Sequence, residues 1–112
     1  MILVLSKLKC SSVNVIFNMH YRMRGQHKKE MQEVAYYMAL QNKKKFDKAR
    51  LIFTAYYKGN RKHDPDNLYV KPFLDGLVQA GMIKDDSNLY VQSVTLKVET
   101  GAKSDYVTIE IL

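Results

Sequence analysis

Apolar and polar residues alternate in Arg50-Leu-Ile-Phe-Thr-Ala-Tyr-Tyr-Lys58 well enough to predict a strand. β-Branched and aromatic residues recur throughout it, which is typical of a strand in the middle of a sheet. Upstream, residues 26–45 place apolar side chains at helical spacing, namely Met31, Val34, Ala35 and Met38. This spacing predicts a helix with one apolar face.

Downstream of the strand, apolar side chains recur at helical spacing from residue 74 to residue 78, and Gly81 follows them. They predict a second helix with Gly81 at its C-cap, because glycine is the usual residue just after a helix end. Residues 89–98 and 106–112 alternate between apolar and polar side chains, which predicts two strands. Residues 100–105 are expected to form the hairpin loop between them.

The N-terminal part is predicted from weaker patterns. Residues 2–8 indicate a short, largely buried strand, whereas residues 10–25 show no clear period and are predicted to be a long functional loop. The predicted order is β-α-β-α-β-β, a mixed sheet with two helices. At 112 residues the chain is long enough for one α+β domain, residues 1–112, and too short for two.

Composition excludes several classes of protein. Hydrophobic residues make up 46% of the chain and charged residues 26%, the balance of a soluble globular protein. No apolar run approaches the ~20 residues of a membrane span, and Lys7 and Lys9 end the apolar N-terminus without a signal-peptide cleavage site. One cysteine, Cys10, excludes an internal disulfide, and no ligand spacing indicates zinc. We therefore expect a cytoplasmic protein that does not bind a membrane.

The net charge of +7 is unevenly distributed. Residues 1–63 carry fourteen Lys and Arg against three acids, a net charge of +11, whereas residues 64–112 carry four Lys against eight acids, a net charge of −4. A basic half binds a polyanion by releasing its counterions, and an acidic cluster binds a cation. A solvated surface also explains a basic run such as Lys43-Lys44-Lys45.

Carboxylates flank the second predicted helix, with Asp64 and Asp66 before it and Asp85 and Asp86 after it. Hard divalent cations such as Mg²⁺ prefer carboxylate oxygens, and such a metal supplies hydroxide for phosphodiester cleavage. A helix of about 15 residues is ~22 Å long, so the two groups meet only if the helix bends or the chain turns back. Pro72 favours a separate first turn, with the helix proper opening at the proline.

Each of these charged residues also has a structural explanation. Asp64 before Pro65 is a good N-cap, and residues 85–87 have a common turn composition. Lys71 and Asp75 are spaced as a helical i,i+4 pair. Composition alone leaves the catalytic and the structural interpretations about evenly balanced.

The run Asp-x-Asp-Asn-Leu…Lys…Asp-x-Leu…Gly-x-Ile-x-Asp-Asp, residues 64 to 86, resembles the signature of the RusA family of Holliday-junction resolvases. The resemblance implies that Asp64, Asp66 and Asp86 are catalytic and bind Mg²⁺, for which Mn²⁺ can substitute. It also implies that Lys71 is the catalytic lysine and that Asp75 is its structural partner within the helix.

Two departures from the family pattern concern the lysine and the N-terminal loop. Lys71 follows the second aspartate by five residues instead of four, and Cys10-Ser11-Ser12 stands where the family has Pro-Pro-Ser. Pro72 disfavours helical geometry at Lys71. We therefore expect the extra residue to be absorbed before the helix, so that the ammonium group returns to the carboxylates.

The resemblance implies a Mg²⁺-dependent endonuclease that resolves four-way DNA junctions by paired nicks in recombination and repair. A homodimer is expected because such a junction is cut two-fold symmetrically. A bacterial, nucleoid-associated location and a phage or prophage origin would suit it. The predicted DNA contacts are Asn14, His20, Arg22, Arg24, Lys43, Lys44, Lys45, Arg61, Lys62 and His63. Two alternatives are a non-catalytic nucleic-acid-binding module and a nuclease of broader choice, acting on flaps or forks.

Overall fold

Four strands form one mixed sheet, and three α-helices accompany it. A computed structural model describes residues 1–112. In chain order the elements are β1 (Ile2–Ser6), α1 (Val13–Asn18), α2 (Tyr21–Asn42), β2 (Ala49–Lys58), a 3-10 turn (Pro65–Asn67), α3 (Lys71–Gln79), β3 (Val91–Ala102) and β4 (Tyr106–Ile111). The α+β prediction is confirmed, with one helix more than expected. None of these helices combines the length and apolar character that a membrane crossing requires.

The strands are ordered β1-β4-β2-β3, and only the β2–β3 pair is parallel. The predicted central position of β2 is confirmed, but the predicted hairpin of the last two strands is wrong, because β4 lies between β1 and β2. The connection from β3 therefore crosses the end of β2, where Asp105 Oδ1 accepts a hydrogen bond from the Lys58 N–H (2.8 Å). Alternating polarity identifies a strand but carries no information about its neighbours.

The core lies on one face of the sheet, under α2 and α3. Phe53 of β2 and Phe73 of α3 are fully buried, and their rings stack with centroids 6.5 Å apart. α2 passes close to α3 at Gly76, where a Cβ atom would lie 2.5 Å from the Gln32 carbonyl oxygen. On the opposite face Tyr56 and Tyr106 stack at 4.2 Å. The sheet thus supports α2 and α3, and α3 carries Lys71 of the predicted site.

The prediction of a loop at residues 10–25 is wrong, because this segment contains α1 and the start of α2. Ser12 caps α1, its Oγ accepting a hydrogen bond from the Val15 N–H (3.1 Å). His20 caps α2 through Nδ1, which accepts from the Arg22 N–H (3.3 Å). Side-chain caps stabilise the first turn of a helix. With only Ile16 buried in α1, no apolar period marks this helix in the sequence.

The predicted start of α2 differs from the structure, whereas the predicted end of α3 agrees with it. α2 begins at Tyr21, earlier than predicted, and ends where Lys43 takes the left-handed conformation (φ 52°). The separate first turn is confirmed, since a 3-10 turn precedes α3. The predicted start at Pro72 is one residue too late, because α3 begins at Lys71, which is itself helical. Gly81 follows α3 with φ 79°, and its N–H donates to the Val78 carbonyl (3.0 Å). The predicted glycine stop of α3 is therefore also confirmed.

Candidate active site

After α3 the chain folds back, so that the Asp86 side chain lies beside Lys71 at the start of that helix. The Lys71 ammonium group contacts Asp86 Oδ2 and lies 2.9 Å from Asp75 Oδ1, one helical turn further on. The hydrogen bond to Asp86, followed by the one to Asp75, raises the pKa of Lys71. The hydrogen bond and charge of Lys71 lower the pKa of Asp86. At neutral pH Lys71 is therefore a cation beside two carboxylates.

Buried residues after α3 direct the chain back toward this lysine. Met82 and Ile83 are buried, Ile83 forms a β-bridge with Phe46, and the Phe46 N–H donates to the Met82 carbonyl at 2.9 Å. The chain then turns, and Asp85 Oδ1 accepts a hydrogen bond from the backbone N–H of Asp86 (2.9 Å). This turn brings together two side chains separated by 15 positions. Of the three carboxylates to which the lysine is expected to return, Lys71 therefore meets Asp86 alone, because its ion pairs are to Asp75 and Asp86.

Asp64 borders a second feature, an open cavity of about 490 Å³. One wall comes from residues 9–12 with Val15 and His27, and the other from residues 61–64 with Asn67 and Leu68. Lys9, Arg61 and Lys62 line it, and we refer to it as the basic cavity. Cationic side chains gathered round a concave surface suit an anionic group such as a phosphate.

Side-chain contacts hold the wall of the basic cavity in place. Ser11 Oγ and His27 Nε2 lie 2.6 Å apart and share a hydrogen bond. The His63 ring stacks on the Tyr57 ring, with centroids 3.7 Å apart and planes inclined by 8°. The Tyr57 hydroxyl in turn donates to the Cys10 carbonyl at 2.9 Å. The residues before Asp64 are therefore anchored to β2 and to the segment before α1.

Two groups in this wall remain protonated at neutral pH. Burial raises the pKa of the Cys10 thiol to about 12. Burial is also the main reason why the pKa of Tyr57 is raised to about 12. At pH 7 this buried group is therefore a thiol and not a thiolate, which makes it a poor nucleophile. Tyr57 acts as a hydrogen-bond donor, in agreement with its contact to the Cys10 carbonyl.

The predicted metal ligands are not gathered into one group. No three carboxylate, imidazole or thiol side chains converge closely enough to form a ready-made metal site. Asp64 borders the basic cavity, Asp66 is exposed in the 3-10 turn, and Asp86 is paired with Lys71. Carboxylate oxygens do fit Mg²⁺, which is often held by only one or two of them and keeps several waters. The metal-binding role of these aspartates stays a prediction.

The predicted DNA contacts fall into three separate places. Asn14, His20, Arg22 and Arg24 lie on α1 and at the start of α2, where all but Arg24 are exposed. Lys43, Lys44 and Lys45 are exposed beyond α2, next to the Phe46–Ile83 bridge that precedes Asp86. Arg61, Lys62 and His63 line the basic cavity. The structure therefore places the third group beside Asp64 in the basic cavity, and the second group next to the bridge that precedes the Asp85–Asp86 turn.

Sequence reasoning missed several residues of the basic cavity. Lys9, Ser11 and His27 line it, yet none of them belongs to a recognisable motif. A usable signal existed for His27, which lies four residues before the buried Met31 on the same helix. Residues at this spacing share one face of a helix, so the sequence indicates that His27 lies next to the protein interior.

Comparison with protein-family models and with curated proteins finds no match to this chain. The resemblance to the RusA family therefore rests on the motif at residues 64–86 and stays a prediction.

Proposed function

We propose that this protein is a Mg²⁺-dependent endonuclease that acts on branched DNA, with four-way junctions as its substrate. The observation that carries the proposal is the position of Asp64 at the edge of the basic cavity. An acidic side chain next to Lys9, Arg61 and Lys62 offers a cation-binding oxygen where a phosphate would be held. The Asp64 side chain makes no capping hydrogen bond to the 3-10 turn that follows it, so an N-cap role does not account for a carboxylate in a place where it would repel phosphates.

The protein's own side chains would bind the DNA and balance charge. Lys9, Arg61 and Lys62 hold a backbone phosphate in the basic cavity, and the stacked His63 fixes the chain direction before Asp64. Lys71 acts as a cation and not as a base, since the raised pKa keeps its Nζ protonated. A fixed ammonium group of this kind neutralises the negative charge that develops on a phosphodiester during cleavage.

A divalent metal completes the proposed chemistry. Asp64, Asp66 and Asp86 would hold the Mg²⁺ ion, and Mn²⁺ would substitute for it. When bound, the ion supplies hydroxide near neutral pH and stabilises charge on the phosphate.

The test is cleavage of a synthetic mobile four-way junction in Mg²⁺, Mn²⁺, Ca²⁺ and chelator. Asp64→Asn, Asp66→Asn and Asp86→Asn should each lower the nicking rate at least about 100-fold, because changes to mere partners of metal ligands already cost ~10–100-fold. Junction affinity should be unchanged or higher. Asp47→Asn is the matched control, since Asp47 is exposed, does not line the basic cavity and forms no ion pair with Lys71. Near wild-type cutting by any two of the three variants refutes the assignment.

Lys71 is tested in the same assay. Lys71→Ala should slow cleavage at saturating Mg²⁺ and leave junction affinity nearly unchanged. Lys71→Arg should restore little activity, because a planar guanidinium replaces a compact ammonium group poorly. Normal cutting by Lys71→Ala would leave this residue with a structural role only.

One observation favours a second candidate function, a non-catalytic nucleic-acid-binding module. The absence of a converged ligand group is what a protein with purely structural aspartates would also show. Metal-dependent nicking by the wild-type protein separates the two candidates. Competition among junction, flap and fork substrates then distinguishes a resolvase from a nuclease of broader choice.

A resolvase makes two coordinated cuts, so the proposal includes a homodimer with one active site in each subunit. It also includes a bacterial cytoplasmic location, where junction DNA is found. Sedimentation should show a two-fold dimer at micromolar concentration, with or without junction DNA. A monomer under both conditions contradicts the paired-nick mechanism.

A further inference from the structure

Two exposed aromatic rings and two arginines lie where α1 meets α2. Phe17 is 57% exposed and Tyr21 is 64% exposed, although large aromatic side chains normally bury most of their surface. We refer to Phe17, Tyr21, Arg22 and Arg24 as the aromatic platform. More than half of each side chain is exposed, so both rings have free surface for a partner.

An arginine guanidinium group lies over each ring of the aromatic platform. The Arg24 guanidinium lies 5.9 Å from the centre of the Phe17 ring. The Arg22 guanidinium lies 5.8 Å from the centre of the Tyr21 ring, and its Nε donates to the Tyr21 hydroxyl (3.2 Å). Flat rings next to guanidinium groups fit a ligand with flat apolar faces and regularly spaced negative charges, which is a nucleic-acid strand.

The aromatic platform is continuous with the candidate active site. Phe17 packs edge-on against Tyr69, with ring centroids 6.3 Å apart, and the Tyr69 N–H donates to the Ser11 carbonyl at 2.9 Å. Ser11 and Val15 of the same region line the basic cavity that Asp64 borders. A strand with a phosphate in that cavity therefore has its neighbouring nucleotides within reach of Phe17.

We propose that the aromatic platform stacks nucleobases that are not paired in a duplex, such as those at a branch point or in a single strand. Arg22 and Arg24 neutralise the flanking phosphates. Paired bases are stacked inside the duplex and present no free face to a protein ring, so the platform selects DNA with unpaired nucleotides. The inference deepens the proposed function and rests on it for the DNA substrate, but base stacking is measured without cleavage.

The test is fluorescence of 2-aminopurine, which is quenched when the base stacks. The full-length protein is titrated, in chelator, onto a single strand, a four-way junction with the probe at its centre, and a plain duplex with the probe inside. Wild-type protein should quench the first two and leave the duplex unchanged. Phe17→Ala and Tyr21→Ala should each weaken single-strand binding about 5- to 100-fold, the usual effect of losing one stacking ring, and affect duplex binding by less than about 2-fold.

Tyr37→Ala is the matched control. Tyr37 is 59% exposed on the same helix, packs against Tyr36 and not against an arginine, and lies ~24 Å along the helix from Tyr21. It should bind single strands like the wild type. Tyr21→Trp should retain quenching, which shows that the ring and not the hydroxyl is required.

Charge and stacking are separated by salt. Arg22→Gln should flatten the dependence of log affinity on log salt, whereas Tyr21→Ala should lower affinity and keep the slope. Equal loss of duplex and single-strand binding in the ring variants overturns the proposal. So does an equal effect of Tyr37→Ala, or a platform whose variants change only self-association in sedimentation. If Tyr21→Ala melts below the wild type, Tyr21→Leu, which keeps the apolar bulk without the ring, replaces it.

Failure of stacking and failure of the nuclease proposal are distinguishable. A protein that quenches 2-aminopurine but never cuts retains the platform and loses the nuclease. A protein that cuts junctions but tolerates Phe17→Ala and Tyr21→Ala retains the nuclease and loses the platform.

Discussion

Gly76→Ala should destabilise the protein because no space exists for a side chain at this position. A Cβ atom there would lie 2.5 Å from the Gln32 carbonyl oxygen, 2.9 Å from Ala35 Cβ and 2.9 Å from the Tyr36 backbone nitrogen. Two of these three atoms belong to the backbone of α2 and cannot rotate away. The substitution therefore forces α2 and α3 apart.

Two opposing contributions decide the magnitude. Alanine in place of a helical glycine gains about 1 kcal/mol through helix propensity. Overpacking a rigid contact costs about 1–3 kcal/mol, and backbone contacts below 3 Å place Gly76 at the upper end of that range. The net loss in the free energy of unfolding is about 2 kcal/mol. For a domain of this size the melting temperature should fall by roughly 8–12 °C.

Gly25→Ala is the matched control and should have the opposite sign. Gly25 lies inside α2, is exposed, and has nothing within 4 Å of the position a Cβ would take. Only the propensity gain remains, about 0.5–1 kcal/mol of added stability. Thermal and urea unfolding of both variants provide the measurement. A Gly76→Ala protein as stable as Gly25→Ala would refute the close approach of α2 and α3.

Three further outcomes are expected. Tyr57→Phe removes the donor to the buried Cys10 carbonyl (2.9 Å) and should cost about 1–2 kcal/mol in urea unfolding; unchanged stability would show that this bond has no net effect. Replacing Lys43, Lys44 and Lys45 by Gln should flatten the salt dependence of DNA binding by about 0.9 for each phosphate that these lysines neutralise in the wild type, and an unchanged slope would make them ordinary surface. Lys71→Met should raise the pKa of the Asp86 carboxyl, measured by NMR in chelator, because Lys71 lowers it. The stabilisation from this pair is present above the ordinary carboxyl pKa of 3.8 and is lost as the pH falls through the lowered value; an Asp86 pKa that does not move would contradict the contact.

Local patterns in the sequence correctly predicted features of the fold that depend on residues adjacent in the chain. The apolar and aromatic content of residues 50–58 predicted β2, and Gly81 predicted the end of α3. Both features depend on a few consecutive residues, which decide whether a strand is buried and where a helix stops. The position of Pro72 predicted that a separate turn precedes α3, and a 3-10 turn is found there. The sequence patterns did not predict the short helix α1, because this helix is stabilised by a side-chain cap and one buried residue.

Tertiary structure alone decided which distant residues meet. The insertion of β4 between β1 and β2 depends on the pairing of whole strands, and alternation is the same whichever strand is the neighbour. The basic cavity unites Lys9, His27 and Arg61 from three separate segments, so no spacing along the chain could reveal it. The contact of Lys71 with Asp86 spans 15 positions and exists because buried Met82 and Ile83 turn the chain back. The sequence by itself thus determined the elements and the motif, and packing determined the site, since burial of apolar surface acts between segments without regard to their order.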